Sequence, residues 1–302
     1  MREIERKRCA EAIRKGGHWV KVILAKRIGF CFGVKRAVRM AEEALKRNKR
    51  IYSLGSIIHN RQVVECLSRK GLKAVKTIGQ IKDGPVLISS HGISPKVIAA
   101  INKKGLQVID TTCPFVLKAQ KVARRLKEEG YQVVIVGDAD HPEVRALVDY
   151  AAPNVSVIKN RKEACALKIK EDSKVSVLSQ TTQSAANFLD TVNGILEKKP
   201  KELRVFNTIC HDADQRQTMA SDLAANVDLM LIIGGRNSAN TRRLFDVCRK
   251  LQKNSRLIEN DSELREAWFN NKVRVVGVAS GASTPGQAVQ SVVNKIHRKG
   301  VV

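Results

Sequence analysis

Three cysteines offer the most direct chemistry in this sequence. Cys31, Cys113 and Cys210 each follow a β-type run and a polar corner, and each opens a helix-type run. The second and third copies align without a gap, LQVIDTTC over LRVFNTIC. The intervals are 82 residues (113 − 31) and 97 residues (210 − 113). A cysteine at a helix N-terminus meets partial positive charge and N–H groups, which favour thiolate over thiol. Three such thiolates, with no fourth equivalent cysteine, suit a [4Fe–4S] cluster with one iron left open. An open iron is both a Lewis acid and a redox centre. Two other readings stand beside this one: a Cys₃His zinc site with His211 next to Cys210, and three unrelated buried cysteines.

Other polar corners, at the ends of the strands that follow, hold a second set of groups. His59, His91 and His141 are three of only six histidines, and all three fall at corners. Together with Ser238, Asn240, Ser283 and main-chain N–H groups at helix starts, they make a donor set suited to an anion such as a phosphate. Helix capping is the competing role for Ser238 and Asn240. Glu143 is the one carboxylate in these corners. In a dry cavity near a cluster it can hold or relay a proton; in the first turn of a helix it can equally act as a capping group. Thr181 and Thr182 can bond a substrate hydroxyl or cap a helix.

These residues need elements to position them. Apolar β-type runs alternate with stretches of helical period, the pattern of an α/β protein. After Cys31 the sequence predicts helix 34–46, strand 51–54, helix 62–69 and strands 72–75 and 86–88. After Cys113 it predicts helix 115–129, strand 132–136, helix 144–150 and strands 155–158 and 175–178. After Cys210 it predicts helix 215–226, strand 229–233, helix 241–251, strands 256–258 and 273–278, and helix 287–298. The expected architecture is three pseudo-threefold-related open parallel-sheet units around a central iron–sulfur cavity, with strand C-termini on one edge. The units are 32–113, 114–208, and 209–302 completed by 20–31, whose strand 20–25 supplies the last place. Residues 1–19 form a basic N-terminal extension with a weak amphipathic pattern through Ile4, Ala10 and Ile13.

Composition narrows the function classes. The 302 residues are 43% apolar, enough for two or three cores. The longest apolar runs, 133–136 and 229–233, are of strand length, which argues against membrane insertion. The first seventeen residues have no apolar signal region and carry three glutamates, so a cytoplasmic location is expected. Seven cysteines, scattered and odd in number, do not read as a disulfide framework. Cys66, Cys165 and Cys248 read as packing residues and Cys9 as exposed. Fifty-five Lys and Arg against 29 Asp and Glu give a net charge of +26, which attracts polyanions. The cations are spread along the chain and aromatics make up only 4%, too few to stack on bases, so nucleic acid is not the expected partner.

The motifs GFCFGVKRAV (29–38), IIHNR (57–61), SSHGIS (89–94), DTTCP (110–114), GDADHPEV (137–144), SQTTQS (179–184), NTICHDADQRQ (207–217), GGRNSANTRRL (234–244) and GASTP (281–285) occur in order. From about Val20 to the C-terminus the sequence resembles the 4-hydroxy-3-methylbut-2-enyl diphosphate reductases, which end the non-mevalonate isoprenoid pathway. The resemblance implies three α/β domains around a [4Fe–4S] cluster on Cys31, Cys113 and Cys210. It implies that the substrate's allylic hydroxyl binds the open iron and leaves as water. Two electrons and two protons are taken up, and isopentenyl and dimethylallyl diphosphate result. By the same carry-over Glu143 is the proton source, Thr181 holds the hydroxyl and orients Glu143, and His141 lines the site. His59, His91, Ser238, Asn240 and Ser283 bind the diphosphate. The electron donor would be a ferredoxin or flavodoxin.

Two departures stand out. Ala239 replaces a second serine common in relatives, removing a donor worth about 1 kcal/mol. Phe32 follows the first cysteine where a small residue is also common. Rival readings are a three-cysteine [4Fe–4S] dehydratase of quinolinate-synthase type, against which HPEV and QTT weigh, and a nucleic-acid-binding protein with a structural metal centre, which predicts salt-sensitive binding.

Overall fold

Twelve strands and ten α-helices alternate along the described residues, 20–298, of the computed structural model. The expected pattern at 1–19, Cys9 included, lies outside those residues. All strand pairs are parallel, in three four-stranded sheets. One holds β2 (Ile51–Leu54), β3 (Leu72–Val75), β4 (Val86–Ile88) and β5 (Val108–Asp110), in the order β3-β2-β4-β5. The next holds β6 (Gln132–Val136), β7 (Val155–Ile158), β8 (Lys174–Ser179) and β9 (Glu202–Phe206), in the order β7-β6-β8-β9. The last holds β10 (Leu229–Ile233), β11 (Ser255–Ile258), β12 (Val275–Ser280) and the N-terminal β1 (Lys21–Leu24), in the order β11-β10-β12-β1. Each sheet thus has the first strand of its repeat in second place, and the strand that leads to its cysteine on one edge. The N-terminal strand does fill the last place of the third sheet, with Lys21 opposite Val275 and Leu24 opposite Val278.

Parallel sheets are covered on both faces, so their strands read as continuous apolar runs. In β6 the side chains alternate between two cores. Val133 and Ile135 pack with Ala119, Ala123, Leu126, Val144 and Leu147, whereas Val134 and Val136 pack with Val175, Val177, Phe188 and Ile195. Every residue of β10 is buried, and each fully buried Leu or Ile contributes roughly 1.5–3 kcal/mol.

By contacts the chain divides into two compact units. One runs up to Cys31 and resumes at Gln215; it contains the sheet that β1 completes. The other, Phe32–Asp214, contains the remaining two sheets.

The helices that follow the cysteines are α1 (Phe32–Arg47), α4 (Pro114–Glu128) and α8 (His211–Ala224). The last begins four residues earlier than its apolar pattern, because Asp212 and Asp214 in the first turn suit the positive end of the helix dipole. The corner helices are α2 (Arg61–Arg69), α5 (Pro142–Ala151) and α9 (Ala239–Leu251). Three helices fall outside the repeat pattern read from sequence: α3 (Pro95–Lys103), α6 (Arg161–Ala166) and α7 (Ala185–Leu196). Ser94, Asn160 and Ser184 cap them. Cys248 is a packing residue, its thiol pushed up to about 12 by burial. Cys165 is not: near the end of the short α6 it is exposed.

Candidate active site

The three cysteines share one backbone contact. The N–H of Cys31 donates to Ala282 O at 2.9 Å, that of Cys113 to Ser90 O at 3.0 Å, and that of Cys210 to Thr181 O at 2.8 Å. Each acceptor lies in the small polar turn just past the neighbouring strand, β12, β4 or β8. The preceding residues match as well as their sequences align. Thr111 Oγ1 donates to Ile88 O and Thr208 Oγ1 to Ser179 O, both at 2.5 Å. Asp110 accepts from Thr112 N at 2.8 Å, and Asn207, its counterpart, accepts from Ile209 N at 3.1 Å. Such Asx turns hold the chain in a corner so that the next residue opens a helix. The same side chains therefore hold Cys113 and Cys210 each at its own sheet edge.

The thiols suit a metal. None is in a disulfide, and all three are partly exposed. Burial, chiefly, raises the Cys210 thiol above its ordinary value, with Asp212 and Glu143 adding to the effect; the N–H groups of Ala213 and Asp212 oppose it. A thiolate held this way needs a cationic partner, which a metal supplies.

In the unit 32–214, three imidazoles gather where two sheets meet. Ring centroids of His59 and His91 lie 4.4 Å apart, His59 and His141 5.4 Å, and His91 and His141 5.3 Å. Their ligand atoms all lie within 4.8 Å of one another. His91 is held well below the ordinary value of 6.5, first by burial and then by the neighbouring His59 and His141. The fold therefore favours its neutral form. His59 and His91 also line a cavity of about 690 Å³ with Leu54, Val75, Ile93 and Val97.

Beside the histidines sits the buried carboxylate. Glu143 is 1% exposed, in the first turn of α5. Its Oε1 accepts from Thr181 N at 2.6 Å and its Oε2 from Thr181 Oγ1 at 2.8 Å. Its own N–H donates to His141 Nδ1 at 3.2 Å, which leaves the imidazole hydrogen on Nε2. One short segment, His141-Pro142-Glu143, therefore sets both the tautomer of a histidine and the position of an acid.

The family known as LytB protein matches residues 22–297. The chain belongs to that family. It is 48% identical over 277 residues to the 4-hydroxy-3-methylbut-2-enyl diphosphate reductase of Geobacter metallireducens, covering 92% of this chain and 97% of the relative. The reductase of that name from Pelobacter propionicus is 47% identical, with 92% and 98% covered. The fold matches the solved E-1-hydroxy-2-methyl-but-2-enyl-4-diphosphate reductase of Plasmodium falciparum with a TM-score of 0.87 at 28% identity, over 93% of this chain and 89% of that one. Family membership implies a metal cofactor, and the donor set above fits one. No helix among the described residues is long and apolar enough to cross a membrane.

Ser238, Asn240, Ser283 and Cys31 belong to the other unit. Ser238 caps α9, accepting from Thr241 N at 3.3 Å, which leaves its hydroxyl hydrogen to donate elsewhere. Asn240 is 6% exposed, and its amide Nδ2 is buried with no hydrogen-bond partner. A buried unpartnered donor is costly, and an anion would satisfy it. Ser283 is buried at the turn past β12.

Two arginines escaped the sequence reading. Arg36, in α1, donates to Thr112 O at 3.2 Å, the carbonyl just before Cys113. Arg216, in α8, donates to Arg27 O and Ser280 O, both at 3.4 Å, and so braces the loop before Cys31. The signal was present as a cation one to two turns past a cysteine, but what it reaches lies far away in sequence.

Proposed function

We infer that this chain is the oxidoreductase its relatives are named for. It removes the allylic hydroxyl of 4-hydroxy-3-methylbut-2-enyl diphosphate to give isopentenyl and dimethylallyl diphosphate, the last step of the non-mevalonate route. Its cofactor is a [4Fe–4S] cluster held by Cys31, Cys113 and Cys210, one from each of three repeats. When bound, that cluster would relay electrons one at a time and offer a Lewis-acidic iron.

The observation that carries this reading is the buried Glu143 carboxylate, bound by both the N–H and the hydroxyl of Thr181 beside three clustered histidines. Glu143 is the proton source. When its Oε2 is protonated, the Thr181 bond reverses: the carboxyl donates to Thr181 Oγ1, whose hydrogen turns to the leaving oxygen. The C–O bond then breaks and water departs, and the allyl fragment left behind takes up the two electrons and a second proton, at one end or the other, to give the two products. His59 and His91 hold the diphosphate with Ser238, Asn240 and Ser283, and His141 lines the site through its Nε2–H. His91, whose charged form burial disfavours, takes up a proton more readily once an anion is beside it. The two electrons come from an acidic carrier of ferredoxin or flavodoxin type.

Anaerobic reconstitution with iron and sulfide, followed by turnover with reduced methyl viologen, tests the reading. Glu143→Gln is expected to lose roughly 10²-fold or more in kcat with its cluster absorption intact. Cys113→Ser is expected to lose the cluster. Full turnover in Glu143→Gln would sink the proton assignment. No iron–sulfur absorption in the wild type would sink the three-cysteine assignment.

A further inference from the structure

Two first helical turns in the unit 32–214 are linked by the bond from Arg36 to Thr112 O, and both follow a cysteine assigned above. Phe32 is bonded to Cys31, and Phe115 lies two residues past Cys113. Phe32 is 67% exposed, more than any other large apolar side chain among the described residues, and Phe115 is 38% exposed. The fold leaves Phe32 largely uncovered and Phe115 partly so. On α1, Phe32, Lys35, Arg36 and Arg39 follow at spacings that place them on one helix face. On α4, Phe115 and Lys118 do the same, with Lys121 one turn further on. The bond from Arg36 to Thr112 O, two residues before Pro114, ties the two faces into one surface.

The charge near the two rings is of one sign, and only at the far end does Arg39 pair with a carboxylate, Glu43, at 3.5 Å. Stretches 32–41 and 114–127 contain no carboxylate. Lys35, Lys118 and Lys121 are exposed and have no carboxylate partner among the described residues. Elsewhere cations are often paired, as Lys70 is with Glu42 and Arg125 with Glu129. An apolar centre with an unpaired basic rim is the complement of a protein whose own prosthetic group sits in an acidic rim.

We propose that Phe32 and Phe115, rimmed by Lys35, Lys118 and Lys121, form the docking surface for an acidic one-electron carrier protein. The proposal rests on the function inferred above, because that reading puts the electron acceptor next to Cys31 and Cys113. Electron transfer weakens steeply with distance, so a carrier must seat close to those residues. Each encounter oxidises one carrier by one electron, and two encounters supply the pair used per turnover. The phenyl rings exclude water at the centre, while the lysines steer approach and fix orientation.

The test compares two electron sources on the reconstituted enzyme. Reduced methyl viologen is small and cationic and needs no docking; reduced flavodoxin is acidic and does. In Lys35→Glu/Lys118→Glu the KM for flavodoxin is expected to rise at least about tenfold and lose most of its salt dependence, while viologen turnover and the KM for the diphosphate stay unchanged. Phe32→Ala should raise the flavodoxin KM without altering its salt dependence. A reversal elsewhere, Lys162→Glu/Lys170→Glu, should do neither. An unchanged flavodoxin KM in the first variant, or an equal rise in the last, overturns the proposal. Calorimetric titration of flavodoxin onto wild type and the first variant separates the two ideas. If viologen supports no turnover, the inferred function falls, and the difference in affinity still decides whether this surface binds the carrier.

Discussion

Thr181 and His91 are the residues whose chemistry the geometry makes most specific. Thr181→Val keeps the shape and the N–H bond to Glu143 Oε1 but removes the 2.8 Å hydroxyl bond to Oε2. In viologen assays kcat is expected to fall by about tenfold or more, as for loss of a positioned proton-transfer partner, with the KM for the diphosphate little changed. His91 gives a pH signature. Its folded value lies below its ordinary 6.5, so the fold disfavours its charged form. The sign follows: the unfolded chain binds the proton more readily, so this contribution to stability is present above 6.5 and is lost as pH falls below it. Thermal melts should therefore drop between pH 7.5 and 5.5, and less so in His91→Gln. Inorganic diphosphate should protect more at pH 5.5 than at 7.5, because an anion among the imidazoles favours the charged form. Equal protection at both values would argue against anion binding at this cluster.

At the scale of elements, the edge strand β1 decides most. Lys21 N donates to Arg274 O and Ala25 N to Val278 O, each at 2.8 Å. The Lys21 side chain is exposed, so Lys21→Pro touches the backbone ladder alone. Loss of that bond and the ring's demands are expected to cost up to about 3 kcal/mol, read as a shift in urea midpoint. Val22→Pro, whose N–H lies on the strand's open side, should cost less; equal losses would mean that β1 is not held by this ladder. Element types were largely legible before the structure, because buried parallel strands and amphipathic helices differ so clearly in period. The three helices outside the repeat pattern were not. Pro95–Lys103 fully buries only Ile101, Arg161–Ala166 is shorter than two turns, and Ala185–Leu196 hides its buried face among small and polar residues such as Thr191 and Gly194.

For the whole molecule, a net charge of +26 implies self-repulsion in the folded state. Exposed ion pairs such as Lys70–Glu42 and Arg204–Glu129 offset little of it, since solvent and salt screen them. Raising ionic strength from about 10 to 150 mM shortens the screening length to about 8 Å. Scanning calorimetry should then show Tm rising by a few degrees. A fall in Tm would mean that the ion pairs outweigh the repulsion.

The identity of the corner residues and the repeat that carries them were determined by the sequence alone. Cysteines, histidines, Glu143 and the gapless match of LQVIDTTC with LRVFNTIC are local facts, and so is the alternation of strand and helix. That β1 belongs to the last sheet could be deduced too, since that repeat lacked a fourth strand. Only the tertiary structure decided which atoms meet. Glu143 and Thr181 are 38 residues apart, and His59 and His141 come from different sheets. Arg36 reaches a carbonyl 76 residues away. Period and propensity act over a few residues, whereas such contacts depend on how crossovers bring strand ends together. The exposure of Phe32 belongs to the same class: its position in sequence marks it as apolar, and only the packed fold leaves it facing solvent.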